Sequence, residues 1–234
     1  MSGAGIRYDT VVLDVDGTLV DTVYQHVVIW AEAFAAYDVH VPLWRIHRAI
    51  GMGGDRLVTE VAGEDVENKH GDEIRARHDE QFDKTIDEIQ ALPGAESLVR
   101  DLRRRGMTVL VASSGQTGQT ERLLDLVGGA QQADAMTTSA DVESSKPAPD
   151  LIEVALARVG KGPAVVVGDT VWDVHAAREG GHYAVGLLSG GVSDAELREA
   201  GADRVFATTE ELRQALDDLP LRASDPGSTR STRA

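Results

Sequence analysis

The sequence predicts an α/β fold: a doubly wound, Rossmann-like parallel sheet with a small α-helical cap domain inserted after the first strand. Three observations predict it. Short β-branched runs recur at Val11–Leu13, Met107–Ala112 and Ala164–Val167, with the continuous apolar character of strands buried on both faces. Between them lie stretches whose apolar residues repeat every three or four positions, as in amphipathic helices. Each run ends in polar, reactive residues, and open α/β sheets place their sites at strand carboxyl ends.

Taken in order, the first strand stops at Asp14-Val15-Asp16-Gly17-Thr18. Val23, Val27, Trp30, Phe34 and Tyr37 then give a helix over Thr22 to Tyr37. From Asp21 to Gln90 the chain reads as helical and strongly acidic, with 15 Asp/Glu against 7 Lys/Arg. Asp65 to Glu88 is polar with sparse apolar anchors (Ile74, Phe82, Ile86, with Ile89 just beyond), which fits a small helical subdomain better than a core layer. Gly51-Met52-Gly53-Gly54 marks a turn between its helices.

Leu92-Pro93-Gly94 closes the insert, and Ala95 to Arg105 reads as a helix stopped by Gly106. The strand Met107 to Ala112 ends at Ser113-Ser114-Gly115. A helix follows over Thr120 to Val127, a short strand at Ala135–Thr138 and a helix over Pro149 to Val159. Ala164–Val167 is the fourth strand, ending at Gly168-Asp169. A helix over Asp173 to Glu179 leads to a fifth strand, Tyr183 to Leu188. Ser193-Asp194-Ala195-Glu196 and Thr208-Thr209-Glu210-Glu211 have capping-box spacing. The expected organisation is a core domain of residues 1–21 and 92–220, a cap of 22–91, and a polar, disordered tail of 221–234.

At 234 residues, 42% hydrophobic and 26% charged, the composition is that of a soluble globular protein. A net charge of −16 argues against a nucleic-acid partner, whose phosphates need a basic footprint. No apolar run is long enough for a membrane span. With no cysteine there is no thiolate nucleophile or cysteine metal site, and the seven histidines lack zinc-site spacing. The start of the chain has no signal-like character, so the expected location is cytoplasmic.

Asp14 and Asp16, one residue apart at a buried strand tip, require a counter-charge. A divalent cation with oxygen ligands is the simplest one, and Mg2+ the usual choice. Asp14 is a candidate nucleophile. Asp16 lies on the same side of the strand tip, where it could protonate a leaving oxygen and then activate water. Ser113 can donate to a phosphoryl oxygen, as can the backbone N–H groups of Ser114 and Gly115. Lys146, in Ser145-Lys146-Pro147-Ala148-Pro149-Asp150, can offset negative charge beside Asp14. Asp169 stands at another strand tip, with Asp173 one helical turn on.

These four stretches, Asp14-Val15-Asp16-Gly17-Thr18, Ser113, Lys146-Pro147 and Gly168-Asp169-Thr170-Val171-Trp172-Asp173, resemble in order the motifs of the haloacid dehalogenase-like hydrolases. The resemblance implies Asp14 as nucleophile and Asp16 as acid/base, the latter also lending its backbone carbonyl to Mg2+. It implies Asp169 as a direct Mg2+ ligand. Asp173 either holds a metal-bound water, steadies Lys146, or is simply a helix N-terminal acid. The catalytic set is thus Asp14, Asp16, Ser113 and Lys146, and the metal set Asp14, Asp16, Asp169 and Asp173. Thr18, expected to orient Asp16 or serve as a turn residue, joins Ser113, Ser114, Gly115, His26 and Arg56 as candidate substrate contacts.

Within that family the paired aspartates separate this chain from dehalogenases, which lack the second, and from phosphonate hydrolases, which carry alanine or similar there. The implied function is a Mg2+-dependent phosphatase acting on a small phosphorylated molecule. A β-phosphoglucomutase-like mutase is the alternative, since Asp21-Thr22-Val23-Tyr24-Gln25-His26 resembles the hinge stretch of those enzymes. Against it, mutases usually place Glu where Gly168 precedes Asp169, and their cap arginine has no clear counterpart, Arg56 being displaced. A non-catalytic binding module ranks last, because Asp14, Asp16, Lys146 and Asp169 are all present.

Overall fold

The computed structural model describes residues 6–142 and 146–222. Six parallel strands form one sheet in the order β3-β2-β1-β4-β5-β6: β1 (Thr10–Leu13), β2 (Thr108–Ala112), β3 (Ala135–Thr137), β4 (Val165–Gly168), β5 (Tyr183–Leu187) and β6 (Arg204–Phe206). The register sets Val11 beside Val109 on one side and Val165 on the other. Alternation along these strands divides the core. Val11, Leu13, Val109, Val111, Val165 and Val167 share one apolar cluster with α5 (Ala95–Arg104), α6 (Thr117–Asp125) and α10 (Thr209–Gln214). Val12, Leu110 and Val166 face α7 (Asp150–Val159), α8 (Val171–Glu179) and α9 (Asp194–Glu199).

The order reverses direction at β1, so the crevice between the ends of β1 and β4 is the switch point where such sheets bind ligands. Asp14 N–H donates to Val167 O at 3.0 Å, extending the β1–β4 ladder to the site itself.

Between β1 and α5 the chain inserts the helices α1 (Val23–Ala35), α2 (Leu43–Ala49), α3 (Gly54–Ala62) and α4 (Glu64–Thr85). Val27, Trp30, Phe34, Ile46, Leu57 and Ile74 give them an apolar cluster of their own. Of the sparse anchors, Ile74 belongs to that cluster, while Phe82, Ile86 and Ile89 pack into the sheet-side core. The two linkers run side by side: Asp21 N–H donates to Gln90 O at 3.0 Å and Leu92 N–H to Leu19 O at 2.9 Å.

Two differences from the sequence reading have physical reasons. β6 was not anticipated, because three residues beginning with the exposed Arg204 carry no strand periodicity. The expected tail begins later than Leu221, which packs on the core and bridges in parallel to Tyr8, with Arg222 N–H donating to Tyr8 O at 2.8 Å. Residues 223–234 of that tail lie outside the described residues.

Candidate active site

Asp14 follows β1, Asp169 follows β4 and Asp173 lies in the first turn of α8, and one carboxylate oxygen from each falls within 4.8 Å of the others. All three are buried, as is Lys146, only 2% exposed. Lys146 Nζ donates to Asp14 Oδ1 and lies 2.7 Å from Asp173 Oδ1. The other oxygen of Asp173 accepts from Thr170 N–H at 3.1 Å and Thr170 Oγ1 at 2.6 Å, a capping box that opens α8. Asp173 therefore caps its helix and steadies Lys146 at once.

Asp169 Oδ1 accepts from Thr18 Oγ1 at 2.9 Å, while Oδ2 is buried with no hydrogen-bond partner among the described residues. That oxygen lies in a slot between two glycines: a Cβ at Gly17 would stand 2.2 Å from it, and one at Gly190 2.0 Å. Gly17 also has a φ of 74°, in the left-handed region.

Three buried carboxylates around one ammonium leave excess negative charge. Burial, with Asp173 and Asp16 adding to it against the pull of Lys146, pushes the Asp14 carboxyl up to about 7. Burial and the charges of Asp14 and Asp173 push Asp169 well above the ordinary carboxylate range. Burial alone would lower Lys146, but Asp14 and Asp173 raise it, so it stays an ammonium. The orphaned Asp169 oxygen and the all-oxygen donor set fit a hard divalent cation.

The Asp16 carboxylate points away from this cluster. Its Oδ1 accepts from Thr22 Oγ1 at 2.7 Å and lies 3.2 Å from His26 Nε2. Burial would raise it, but the His26 hydrogen bond and charge, with Thr22, hold it below its usual value. Asp14 and Asp16 both face a cavity of about 280 Å³ beneath the cap, shared with His26, Trp30, Arg75 and His78 of the cap and Ser114 and Gly115 of the core.

Ser113 is buried, and its Oγ accepts from Gly115 N–H at 3.0 Å, which leaves its own proton for another acceptor. Ser114 Oγ donates to Gly51 O at 3.2 Å, tying the core loop to the cap turn. Two expected contacts lie elsewhere. Thr18 reaches Asp169 rather than Asp16, because the turn at Gly17 carries it under the sheet end, where it is buried. Arg56 is exposed on α3 and does not line the cavity.

The cavity's cap arginine is instead Arg75 on α4, paired in bidentate fashion with Glu67 (2.8 and 2.8 Å), with Asp72 at 2.7 Å and Gly54 O at 3.2 Å. His78 and Asp79 were also missed. They sit in the polar run 65–88, and only the packing of α4 on α1 brings His78 to His26, with Asp79 behind it on His78. A polar stretch with a phenylalanine four residues after a histidine, His78 and Phe82, was the one available signal.

A family profile described as haloacid dehalogenase-like hydrolase matches residues 8–181. A solved hydrolase from Pseudomonas syringae is 34% identical with a TM-score of 0.85, over 90% of this chain and 98% of that one. The phosphonoacetaldehyde hydrolase of Bordetella pertussis is 29% identical over 86% of this chain and 84% of its own length. The phosphoglycolate phosphatase of Caulobacter vibrioides is 27% identical over 84% and 86%.

Proposed function

Since the chain belongs to the haloacid dehalogenase-like hydrolases, we propose that it is a Mg2+-dependent phosphatase, hydrolysing a small organic phosphate monoester through an aspartyl-phosphate on Asp14. The observation that carries this reading is the division of labour between the paired aspartates. Asp14 is held by Lys146 beside Asp169 and Asp173, while Asp16 is turned to His26 at the cavity wall. This arrangement supports Asp14 as the nucleophile and Asp16 as the proton carrier.

An oxygen of Asp14 attacks phosphorus, the bond from phosphorus to the ester oxygen breaks, and Asp16 gives that oxygen a proton. Water then attacks the same phosphorus, passing a proton to Asp16, and the bond to Asp14 breaks to release phosphate. Lys146 and the Ser113 hydroxyl stabilise the charge that builds on the phosphoryl oxygens. Asp14, Asp169, Asp173 and the Asp16 carbonyl would hold Mg2+, which when bound offsets the crowded negative charge.

Two observations support hydrolysis of a phosphate ester over other chemistry in the family. Asp16 supplies the proton that an oxygen leaving group needs, whereas a carbon leaving group requires stabilisation of a carbanion. A mutase must also grip a second phosphate, and the cap guanidinium in the cavity is committed to Glu67 and Asp72. Purified protein should hydrolyse an aryl phosphate with Mg2+ and lose that activity in EDTA. In a single turnover with labelled donor, label should leave as free phosphate. Label recovered mainly in a sugar bisphosphate would establish the mutase instead.

A further inference from the structure

The cap holds a hydrogen-bonded row that ends on Asp16. Its Oδ1 lies 3.2 Å from His26 Nε2, His26 Nδ1 lies 3.0 Å from His78 Nε2, and His78 Nδ1 lies 3.0 Å from Asp79 Oδ1. Both rings are fixed by stacking, His78 on Trp30 with centroids 4.0 Å apart and His26 on Phe82 at 4.2 Å. At the far end Asp79 is anchored to the core, its Oδ2 accepting from Gln116 Nε2 at 3.1 Å and its backbone O from Gln119 Nε2 at 3.2 Å.

We propose that His78 and Asp79 are positioning residues for the acid step: they set the direction of every hydrogen bond in the row, so that His26 turns its Nδ1 proton to His78 and its Nε2 to Asp16. The proposal rests on the phosphatase reading above, in which Asp16 carries the proton.

The direction follows from counting donors. As a carboxylate, Asp79 only accepts, so His78 donates from Nδ1. Burial holds His78 well below its ordinary value, at about 4, so the ring is neutral and its Nε2 is an acceptor. His26 must then donate from Nδ1. The last contact, His26 Nε2 to Asp16 Oδ1, is a hydrogen bond only if one proton lies between these two atoms. That is the proton the leaving oxygen takes. Were the row reversed, His26 would donate its own Nε2–H to an Asp16 carboxylate, and no further proton would be in place. Because Asp16 and Gln116 belong to the core and both histidines to the cap, the row is complete only while the cap rests on the core.

Asp79→Asn tests this, because the new amide can donate to His78 Nδ1 and let the row reverse at almost constant size. With an alkyl phosphate, whose alkoxide must be protonated, kcat/KM should fall by about tenfold or more. With 2,4-dinitrophenyl phosphate, whose phenolate leaves unaided, it should change by no more than about twofold. Asp79→Glu should restore most of the alkyl phosphate rate. Long-range proton–nitrogen NMR should show His78 as the Nδ1–H tautomer in the wild type and the Nε2–H tautomer in Asp79→Asn. Equal losses on both esters, or an Nε2–H His78 in the wild type, would overturn the proposal. Failure of the wild type to hydrolyse either ester with Mg2+ would overturn the phosphatase reading, and the proposal with it.

Discussion

Thr18 Oγ1 donates to Asp169 Oδ1 at 2.9 Å, a link across 151 residues that fastens the turn after β1 to the end of β4. With this hydroxyl gone, Asp169 would lose the one side-chain donor that orients it among the described residues. Thr18→Val should therefore weaken apparent Mg2+ affinity by about 10- to 100-fold, the usual effect of removing a partner that orients a metal ligand. Titrating activity against Mg2+ measures it, and saturating Mg2+ should recover most of kcat.

Asp14→Asn should abolish turnover, with a loss of about a thousandfold or more. The fold should survive, because Lys146 keeps its contact with Asp173 and the new side chain is nearly isosteric. Phosphate release and a melting curve on the same sample separate these outcomes. Substantial residual turnover would remove Asp14 from the nucleophile's role.

Glu67 holds Arg75 through two hydrogen bonds of 2.8 Å at the cavity wall. Glu67→Gln should free part of that guanidinium for the substrate. KM for a phosphate ester bearing a second anionic group should fall by about threefold or more, on the scale of one charge-assisted hydrogen bond. KM for an aryl phosphate with no second anionic group should stay unchanged. Steady-state kinetics on the two substrates give the comparison.

His78 supplies a pH dependence of defined sign. Burial lowers its folded value from 6.5 to about 4, so the unfolded chain binds a proton that the folded chain refuses. The stability this contributes is complete above pH 6.5 and is lost as pH falls toward 4. One proton corresponds to a slope of at most about 1.4 kcal/mol per pH unit. His182 is lowered in the same direction by burial, so the measurement is a difference. Urea unfolding of wild type and His78→Phe between these limits should show a shallower loss of stability in the variant.

The residues at strand ends were the most legible. Asp14, Asp16, Ser113 and Asp169 each follow an apolar run, and the parallel sheet brings the ends of such runs together whatever lies between them. The hydroxyl of Thr18 was harder to place, because its partner depends on a left-handed turn at Gly17 rather than on sequence spacing. The cap resisted reading for a different reason. His78, Asp79 and Arg75 lie on a helix whose polar surface resembles a solvated face, and their neighbours are set by how α4 crosses α1. Arg56 has the right chemistry and the wrong side of its helix: it is exposed, while Leu57 and Val58 beside it are buried.

The slot around Asp169 leaves no room for a side chain on either flank. A Cβ would stand 2.2 Å from Oδ2 at Gly17 and 2.0 Å at Gly190, so even an alanine at either position would have to push this carboxylate aside. What keeps Oδ2 in its place is thus partly the absence of two methyl groups, a constraint that lies in the backbone and not in any hydrogen bond.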